Sequence, residues 1–373
     1  MSAEAHAITG EPEVKRVVVF PAWQDNPFIN LTYLAAHSAG YHFTPIKTIK
    51  ELESQLEGQL DSTILHMNWT SPIVQAAPRQ GVARDNLAHF QELIDDARER
   101  GLTIVWTVHN VLPHDGKFIP EEIQLHEFLA DRADVIHVMS AGTARLCAEF
   151  YELPEHKIMQ LDHPSYDGVY SGVPDRNETR EFFGLAPDDL AVLFLGHVKP
   201  YKGILELIEA VRIAADDPER SIVLMLAGKT PPNDLAIIDD ILPAHVRAIR
   251  YHSYVPEQDL GRWLTAADLG VFPFQRILNS GSIQLAATYG LPVLIPDEPH
   301  LVQQYAAESW VRFFDRKRQA ESIASNLQSD EKRDPESRFA ARRYAVERSP
   351  YRLSERFVDE ILRTTEQSRI NAG

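Results

Sequence analysis

The stretch LAVLFLGHVKPYKGILELIEAVRIAA, residues 190–215, decides the predicted fold. Its first six residues form a continuous apolar run, which is typical of a strand buried on both faces. Gly196 ends this run, and after a short basic loop Gly203 opens a segment whose apolar residues recur at helical spacing. A buried strand that turns directly into an amphipathic helix predicts half of a βαβ unit and therefore a parallel sheet.

The strand-then-helix pattern recurs along the rest of the chain. We expect further strands at 14–20, 63–66, 102–108, 135–139, 221–227, 247–252, 269–272 and 292–295. We expect helices at 27–40, 84–100, 119–130, 237–242, 258–266 and 282–289, with a mostly helical tail over 315–366. The glycine- and proline-containing segment 165–179 is expected to connect two domains. The pattern predicts an α/β chain of two Rossmann-like, doubly wound domains facing a cleft, where ligands bind in such folds.

Composition narrows the class of protein. Hydrophobic residues make up 44% of the 373 residues, which indicates a globular chain long enough for two domains. No apolar run reaches the roughly 18 residues of a membrane helix, and residues 1–13 show no signal-peptide pattern. The single cysteine, Cys147, permits neither an intrachain disulfide nor a zinc cluster. We therefore expect a cytoplasmic protein without a transmembrane segment.

The charge is acidic and unevenly distributed. The formal net charge is -17, which argues against nucleic-acid binding through a general basic surface. Residues 1–174 hold 12 basic and 24 acidic side chains, against 25 and 30 in the remainder. An anionic ligand is therefore better placed on the second domain than on the first.

The loop from Gly196 to Gly203 carries the strongest chemical pattern. A glycine at the strand end lets a ligand approach the backbone, and the following helix offers N–H groups and a positive dipole end. Lys202 adds a point charge that can meet a diphosphate, with His197 and Lys199 beside it. The alternative interpretation is a plain strand-loop-helix turn with solvated lysines.

A second anion-competent loop reads Asn279-Ser280-Gly281-Ser282. Ser280 or Ser282 can cap the following helix, and Gly281 allows close approach of a ligand to the backbone. A phosphate can again bind helix N–H groups here. An ordinary serine N-cap explains the same residues, but two such loops in one Rossmann unit together favour a phosphate site.

Candidate residues of the first domain also follow predicted strands. His109 comes directly after a buried strand and can hydrogen-bond or move a proton, although a loop histidine bonded to backbone is the alternative. Asn26 stands at the first strand-to-helix turn. Asn68 and Trp69 follow the second strand, where the indole can stack on a sugar ring or simply pack. His163 lies where the chain enters the connector, beside Tyr166.

Several catalytic motifs are absent from the sequence. There is no Walker A loop, no intact G-x-G-x-x-G and no G-x-S-x-G elbow. No D-x-D pair stands at a strand end to hold a divalent ion. Dehydrogenase, kinase and hydrolase chemistry is therefore not indicated, and we expect no metal.

These motifs together resemble the GT-B glycosyltransferases, and among them the large retaining family four and its relatives. Members of that family place a glycine at the first strand end of the second domain, then a basic residue, then a lysine-glycine pair. Gly196, Lys202 and Gly203 match, with His197 at the basic position and Lys199 nearby. His109 matches the family's cleft histidine, and residues 290–294 match its G-x-P-V-I ending.

The sequence departs from the retaining family at its two glutamates. Counting back from Gly290 places them at Leu285 and near Ile277, and neither residue is acidic. The stretch 278–282, the phrase Asn26-Pro27-Phe28 and the run 201–203 instead resemble bacterial exopolysaccharide mannosyltransferases of the xanthan type.

The resemblance implies a division of labour between the domains. An N-terminal domain over residues 1–170 would bind the acceptor, and a C-terminal domain over 180–345 would bind a nucleotide diphosphate sugar. Residues 346–373 would form a helix that crosses back to the first domain. His109 and Lys202 would be catalytic. The donor would be bound by Gly196, His197, Lys199, Lys202, Asn279, Ser280, Gly281 and Ser282, and the acceptor by Asn26, Asn68, Trp69 and His163.

The implied activity is transfer of a hexose, of the mannose or glucose type, in polysaccharide biosynthesis. No cofactor is expected, because the nucleotide diphosphate sugar is the donor substrate. The acceptor would be a glycan, lipid-linked or free, or a small molecule. Two alternatives remain open: a nucleotide-sugar epimerase of the same fold, and a non-catalytic GT-B-like protein that binds a sugar nucleotide.

Overall fold

The computed structural model describes residues 15–23, 26–113, 115–170, 172–198, 202–217, 220–329 and 334–365. They divide into two compact units. The first unit takes the described residues of Met1–Val138, Cys147–Leu161 and Ser354–Gly373, and the second takes those of Met139–Leu146 and Asp162–Leu353. Each unit holds a six-stranded sheet in which neighbouring strands pair in parallel. The predicted α/β fold with two doubly wound domains is confirmed, and the shared cleft stays a prediction.

The first sheet has the strand order β2-β1-β3-β4-β5-β6. Its strands are β1 (Lys15–Phe20), β2 (Tyr41–Pro45), β3 (Thr63–Met67), β4 (Thr103–Thr107), β5 (Val135–Val138) and β6 (Ile158–Gln160). The helices along this part of the chain are α1 (Phe28–Thr32), α2 (Ile49–Gln55), α3 (Gln80–Glu99), α4 (Ile119–Arg132) and α5 (Thr143–Cys147). Because the order reverses between β1 and β3, the loops after these two strands flank the crevice where such sheets bind ligands.

The predicted helix over 27–40 is wrong in its second half. Helix α1 stops at Thr32, a short 3₁₀ turn covers His37–Ala39, and Gly40 with φ 85° leads into β2. The hydroxyl of Ser354 accepts a hydrogen bond from Ala35 N at 2.8 Å and donates one to Thr32 O at 2.7 Å. A side chain distant in sequence therefore takes the backbone groups that would have continued the helix.

A buried chain of hydrogen bonds crosses the first sheet. Leu161 O can only accept, so the Nε2–H of His137 donates to it at 2.9 Å. The other ring nitrogen of His137 then accepts from Thr107 at 2.9 Å, and Thr107 accepts from His66 Nε2 at 2.7 Å. Finally the Tyr33 hydroxyl donates to His66 Nδ1 at 2.7 Å. When each imidazole carries a single proton, every bond of this chain has one direction.

The chain returns to the first unit after the second unit is complete. Helix α14 (Pro350–Arg356) continues into a π-helical turn, Phe357–Leu362. The buried ring of Phe357 lies 5.6 Å from Tyr33, 5.3 Å from His66 and 5.6 Å from His137, between ring centroids. This segment therefore covers the hydrogen-bonded chain and completes the first core.

The second sheet has the strand order β12-β11-β10-β7-β8-β9. Its strands are β7 (Leu190–Leu195), β8 (Ile222–Ala227), β9 (Arg247–Tyr251), β10 (Leu269–Val271), β11 (Val293–Pro296) and β12 (Val311–Phe314). Its helices are α6 (Arg176–Phe182), α7 (Ile204–Ala215), α8 (Pro232–Ile241), α9 (Glu257–Ala266), α10 (Gly281–Thr288), α11 (Pro299–Tyr305), α12 (Gln319–Gln328) and α13 (Pro335–Glu347). The order reverses between β7 and β10, so the loops after these strands flank its ligand crevice.

The described residues of the expected connector, 165–179, belong to the second unit, and its last residues are already in helix α6. Ser165 is fully buried, its hydroxyl donates to Ala345 O at 2.7 Å, and its N–H donates to Arg348 O at 2.9 Å. Tyr166 N donates to the Thr288 hydroxyl at 3.0 Å. Because these bonds fix the segment to α10 and α13, residues 165–170 do not form a free linker.

Candidate active site

Glycines expose the backbone at the carboxyl edge of the second sheet. Gly196 ends β7 with φ 137°, and Gly228 ends β8 with φ 148°. A Cβ atom added at Gly228 would lie 1.9 Å from Gly196 O. The two strand ends therefore approach so closely that a side chain is excluded, and main-chain groups line this edge.

Helix α7 begins at the same edge. Gly203 caps it in the left-handed conformation, with φ 68°, and a Cβ there would lie 1.9 Å from Pro273 O in the loop after β10. This contact joins the two loops that flank the sheet's switch point. It also places the positive end of the α7 dipole there.

Lys202 lies beside this junction. Its Nζ is 4.6 Å from the centroid of the Phe274 ring, within the range of a cation–π interaction. The ammonium group is thus near the loop after β10 as well as the N-terminus of α7. The side chain of His197 is exposed on the same loop, and Lys199 lies outside the described residues.

The second predicted anion loop forms the start of α10. The Ser280 hydroxyl accepts from Ile283 N at 3.4 Å, so the predicted cap is present. A Cβ at Gly281 would lie 2.6 Å from the Tyr166 hydroxyl oxygen. A larger residue here would displace the ring of Tyr166, while Asn279 and Ser282 are half-buried beside it.

His163 lies beside this loop. It belongs to the second unit, and its Nε2 would be 4.0 Å from a Cβ at Gly281. Its Nδ1–H donates to Pro164 O at 2.7 Å. Burial lowers the pKa of His163 to about 4, so the ring is neutral at pH 7. Its assignment to the acceptor stays a prediction.

The two positions at which the retaining family carries its glutamates hold apolar packing residues in this chain. Ile277 and Leu285 are partly buried and pack against the apolar core on one face of the second sheet. An ionised carboxylate would lose hydration there. The sequence departure noted above is therefore matched by an apolar environment.

The carboxyl edge of the first sheet is built from side chains. The His109 ring stacks on Trp69 with 4.1 Å between centroids and meets Phe28 edge-on at 4.8 Å. Its Nε2–H donates to the buried Asn68 Oδ1 at 3.0 Å. The structure thus brings together three residues that were predicted separately: Asn68, Trp69 and His109.

Asn26 has a local role. Its side-chain oxygen accepts from Phe28 N at 3.0 Å, which holds the turn between β1 and α1. Phe28 in turn contacts the rings of Trp69 and His109. Asn26 therefore positions this aromatic group through the backbone, and its predicted contact with an acceptor remains untested.

Sequence reasoning missed a buried pair on α4, Glu122 and His126. Their Oε1 and Nε2 atoms are 3.3 Å apart, and both side chains are almost fully buried. Burial acts to raise the pKa of Glu122, but bonds from His126, Thr70 and Gln75 outweigh it and hold the pKa below its usual range. The spacing i, i+4 in a predicted helix was the available signal.

Two features are absent from the described residues. No group of three or more His, Cys, Asp or Glu side chains in that part of the chain could hold a metal ion. None of the helices described there is long and apolar enough to cross a membrane.

Comparison with known proteins identifies relatives. Residues 189–328 match the family of glycosyl transferases group 1. The chain is 23% identical over 259 residues to a GDP-mannose:glycolipid 4-beta-D-mannosyltransferase of Xanthomonas campestris pv. campestris, covering 68% of this chain and 67% of that protein. A second such protein is 25% identical over 235 residues, and the chain spans only 61% of its length.

Solved structures share the fold. Anabaena HepE in complex with UDP and glucose superposes with a TM-score of 0.67 at 12% identity, covering 93% of this chain and 99% of that one. Sucrose-phosphate synthase from Thermosynechococcus elongatus gives the same TM-score at 12% identity over 94% and 98% of the chains. The chain therefore has the GT-B fold and contains a group 1 glycosyl transferase domain over residues 189–328.

Proposed function

We propose that the chain transfers a hexose, of the mannose or glucose type, from a nucleoside diphosphate sugar to a hydroxyl of a glycan acceptor. One observation carries the proposal: the N-terminus of α7, held by Gly203 against Pro273, meets Lys202 at the switch point of the second sheet. Helix N–H groups and an ammonium group together suit a diphosphate. The relatives named for GDP-mannose and a glycolipid support this class of donor and a lipid-linked acceptor.

The donor would be held mainly by the main chain of the second unit. Gly196 and Gly203 leave room for the diphosphate to approach the strand and helix ends, and the capped start of α10 offers a second set of N–H groups. Lys202 would neutralise the leaving diphosphate, a task that Mg²⁺ performs in many phosphate-transfer enzymes. We therefore propose that transfer needs no metal.

The acceptor would bind at the carboxyl edge of the first sheet. Aromatic rings beside hydrogen-bonding groups suit sugars, which present apolar ring faces and hydroxyls, and Trp69, Asn68 and His109 supply both. His109 would contact the reacting hydroxyl or sugar. With a cytoplasmic donor and a lipid-linked acceptor, the chain would act at the cytoplasmic side of polysaccharide assembly.

Nucleotide binding and turnover test this function. We expect GDP or UDP to bind the full-length chain in a calorimetric titration. We expect the matching sugar nucleotide to be consumed in EDTA when a glycan extract is supplied, with the transferred anomer assigned by NMR. A strict requirement for added Mg²⁺ or Mn²⁺ would contradict the proposal that transfer needs no metal.

The products separate the alternatives. Release of an epimerised sugar without transfer would establish the epimerase. Nucleotide binding without donor hydrolysis or transfer would establish a non-catalytic protein. The matched variants are Lys202→Met, which keeps the aliphatic stem over Phe274 but removes the charge, and Lys202→Arg, which keeps the charge.

A further inference from the structure

A cavity in the second unit combines apolar surface with a basic wall. Its volume is about 380 Å³, and it lies between the segment before α6, the carboxyl ends of α9 and α10, and α13. Val173, Tyr289 and Phe339 give it apolar surface, whereas Arg338 and Arg342 line it from α13. Among the described residues, no Asp or Glu side chain lines this cavity. Its own wall therefore carries positive charge without a facing carboxylate.

A single carboxylate behind this wall already serves two arginines. Arg176, which also lines the cavity, bonds to Asp268 Oδ1 at 2.6 Å, and Arg180 bonds to Asp268 Oδ2 at 3.0 Å. The same Oδ2 accepts from Ala191 N at 2.8 Å. Because Asp268 is buried among these partners, its one negative charge is shared by two cations before a third is considered.

Arg338 is that third cation, and it has no carboxylate of its own. Its guanidinium donates to Ala267 O at 3.0 Å and to Thr265 O at 3.5 Å, and it forms no ion pair among the described residues. These carbonyls end α9, and the partial charge of a helix end offsets only part of a full positive charge. Burial, together with the charge of Arg176, lowers the pKa of Arg338 to about 10, so the group is still charged at pH 7.

Arg338 also keeps donors for a ligand. A guanidinium has more N–H groups than these two carbonyls use. The Nε of Arg338 has no partner among the described residues and is not buried. The residue is half-buried and lines the cavity. An anion in the cavity would therefore gain charge-assisted hydrogen bonds and supply the missing negative charge.

The apolar part of the cavity is exposed to solvent. Phe339 is 65% exposed and Val173 is 50% exposed. Arg343 and Val346 follow Phe339 on the same face of α13, at helical spacing, and both are exposed. Exposed apolar side chains beside cations suit a ligand that has both an anionic group and an apolar chain.

A larger cavity beside this one has a balanced charge. Its volume is about 700 Å³, and Arg176 and Arg338 line it as well. Three carboxylates also line it, those of Asp268, Glu181 and Asp334. They offset its arginines and would repel a second anion. An anionic group is therefore favoured in the smaller cavity.

We propose that the smaller cavity binds the phosphate group of an anionic membrane lipid, with Arg338 at the phosphate and Phe339 against the acyl chain. A phosphate suits converging guanidinium groups, because its oxygens accept several hydrogen bonds at once. The exposed Phe339 and Val173 favour a lipid over free phosphate, which has no apolar part to cover them.

The lipid site lies at the opposite end of the second sheet from the proposed donor loops. Asp268 directly precedes β10, and Gly290, which lines the cavity, comes shortly before β11, so both mark the amino ends of strands. The proposed donor loops follow the carboxyl ends of β7 and β10. The inference therefore goes beyond the proposed function, and lipid and nucleotide binding can be measured separately.

Flotation of the full-length chain with vesicles tests the site. One set of vesicles contains phosphatidylcholine alone, and the other contains equal parts of phosphatidylcholine and phosphatidylglycerol. We expect binding to the anionic vesicles only, and weaker binding at high salt. Arg338→Gln should lower the partition coefficient about fivefold, because it removes one cation from the membrane surface. Phe339→Ser should lower it about tenfold, because the buried apolar contact is lost.

A matched pair of control residues lies elsewhere in the second unit. Phe182 is 66% exposed, and the guanidinium of Arg262 lies 5.2 Å from its ring centroid. Arg262 is paired with Asp259 at 3.0 Å, and neither Phe182 nor Arg262 lines the cavity. Phe182→Ser and Arg262→Gln should therefore leave vesicle binding unchanged. Since Phe339 is a surface residue, Phe339→Ser decides the question even if Arg338→Gln fails to fold.

Several outcomes would overturn the lipid site. Equal binding to both kinds of vesicle would show that the charge has no part in it, and equal losses in Phe339→Ser and Phe182→Ser would place binding elsewhere. Release from anionic vesicles by inorganic phosphate, but not by chloride of the same ionic strength, would assign the cavity to free phosphate. Vesicle binding without binding of GDP or UDP would support the lipid site and contradict the proposed function.

Discussion

The two sheets present different chemistry at the same topological position. At the second sheet the carboxyl edge consists of glycines and helix starts, where Gly196, Gly203 and Gly228 bring main-chain groups together. At the first sheet the equivalent edge consists of rings, with His109 between Trp69 and Phe28. One scaffold therefore presents main-chain groups at this edge in one unit and aromatic side chains in the other.

The difference follows from what each ligand would offer. A diphosphate is a compact charge that N–H groups can surround without regard to side-chain shape. A sugar presents many similar hydroxyls, and telling them apart needs directed acceptors and flat apolar surfaces. The acidic balance of residues 1–174 fits the same division, because it disfavours an anion in the first unit.

The largest loss of nucleotide binding and stability is expected when a side chain is added at Gly203, on the glycine-rich edge of the second sheet. Gly203→Ala puts a Cβ 1.9 Å from Pro273 O at a φ of 68°, so the helix start must move away from the loop after β10. We expect nucleotide binding to be lost and the chain to be clearly destabilised. Calorimetric titration with GDP and UDP and thermal unfolding would measure both.

Gly168→Ala is the control for Gly203→Ala. Gly168 has a similar φ of 79°, but a Cβ there meets no atom within 4 Å. It should show only the cost of the left-handed conformation, about 1–2 kcal/mol. Equal behaviour of the two variants would mean that the contact with Pro273 has no importance for the site.

Substitutions of Lys202 and His109 should have smaller effects that differ in kind: the first on nucleotide binding and turnover, the second on turnover alone. Lys202→Met should lower kcat/KM by about 10²–10³ and also weaken nucleotide binding, because it removes the charge that we propose contacts the diphosphate. His109→Ala should lower kcat with nucleotide affinity nearly intact. The comparison of the two units fails if His109→Ala weakens nucleotide binding as much as Lys202→Met. The exposed His89 on α3 provides the control, His89→Ala.

The smallest expected effect is the pH dependence of stability in the first unit. Burial, with a contribution from His137, lowers the pKa of His66 to about 3 in the folded chain, against about 6.5 when unfolded. The unfolded state thus binds a proton first, so stability is complete above pH 6.5 and falls as the pH drops toward 3. Between pH 7 and pH 5 we expect a loss of about 2 kcal/mol from this residue.

Substitution of the imidazole tests this assignment. His66→Gln should flatten the dependence of the unfolding free energy on pH in this range, while His37→Gln, at an exposed histidine, should leave the slope unchanged. An unchanged slope in His66→Gln would show that other groups cause the acid sensitivity.

Sequence patterns predicted the parts of the fold that depend on local chemistry. The apolar runs at Lys15–Phe20, Leu190–Leu195 and Ile222–Ala227 were placed within about one residue, because fully buried strands need no partner to be recognised. Strand β2 was missed because it alternates weakly and half its residues stay accessible. The end of α1 could not be predicted locally, because it depends on a hydrogen bond to Ser354, more than three hundred positions away.

The same distinction holds for the site. The loops with Gly196, Gly203 and Ser280 were found because glycine and a capping serine act on their own segment. The buried pair of Glu122 and His126 was missed because its contacts with Thr70 and Gln75 form only when distant segments fold together. The position of His163 beside Gly281 could not be predicted either, because it depends on how distant segments of the second unit pack.

The late return of the chain to the first unit has a consequence for biosynthesis. Phe357 covers Tyr33, His66 and His137, yet the ribosome makes it only after the whole second unit. At about 5–20 residues per second, the strands that emerge first wait on the order of ten seconds or more for their last covering segment. The domain that begins synthesis is therefore the last to be finished, and its apolar face must be shielded meanwhile by the nascent chain itself or by a chaperone.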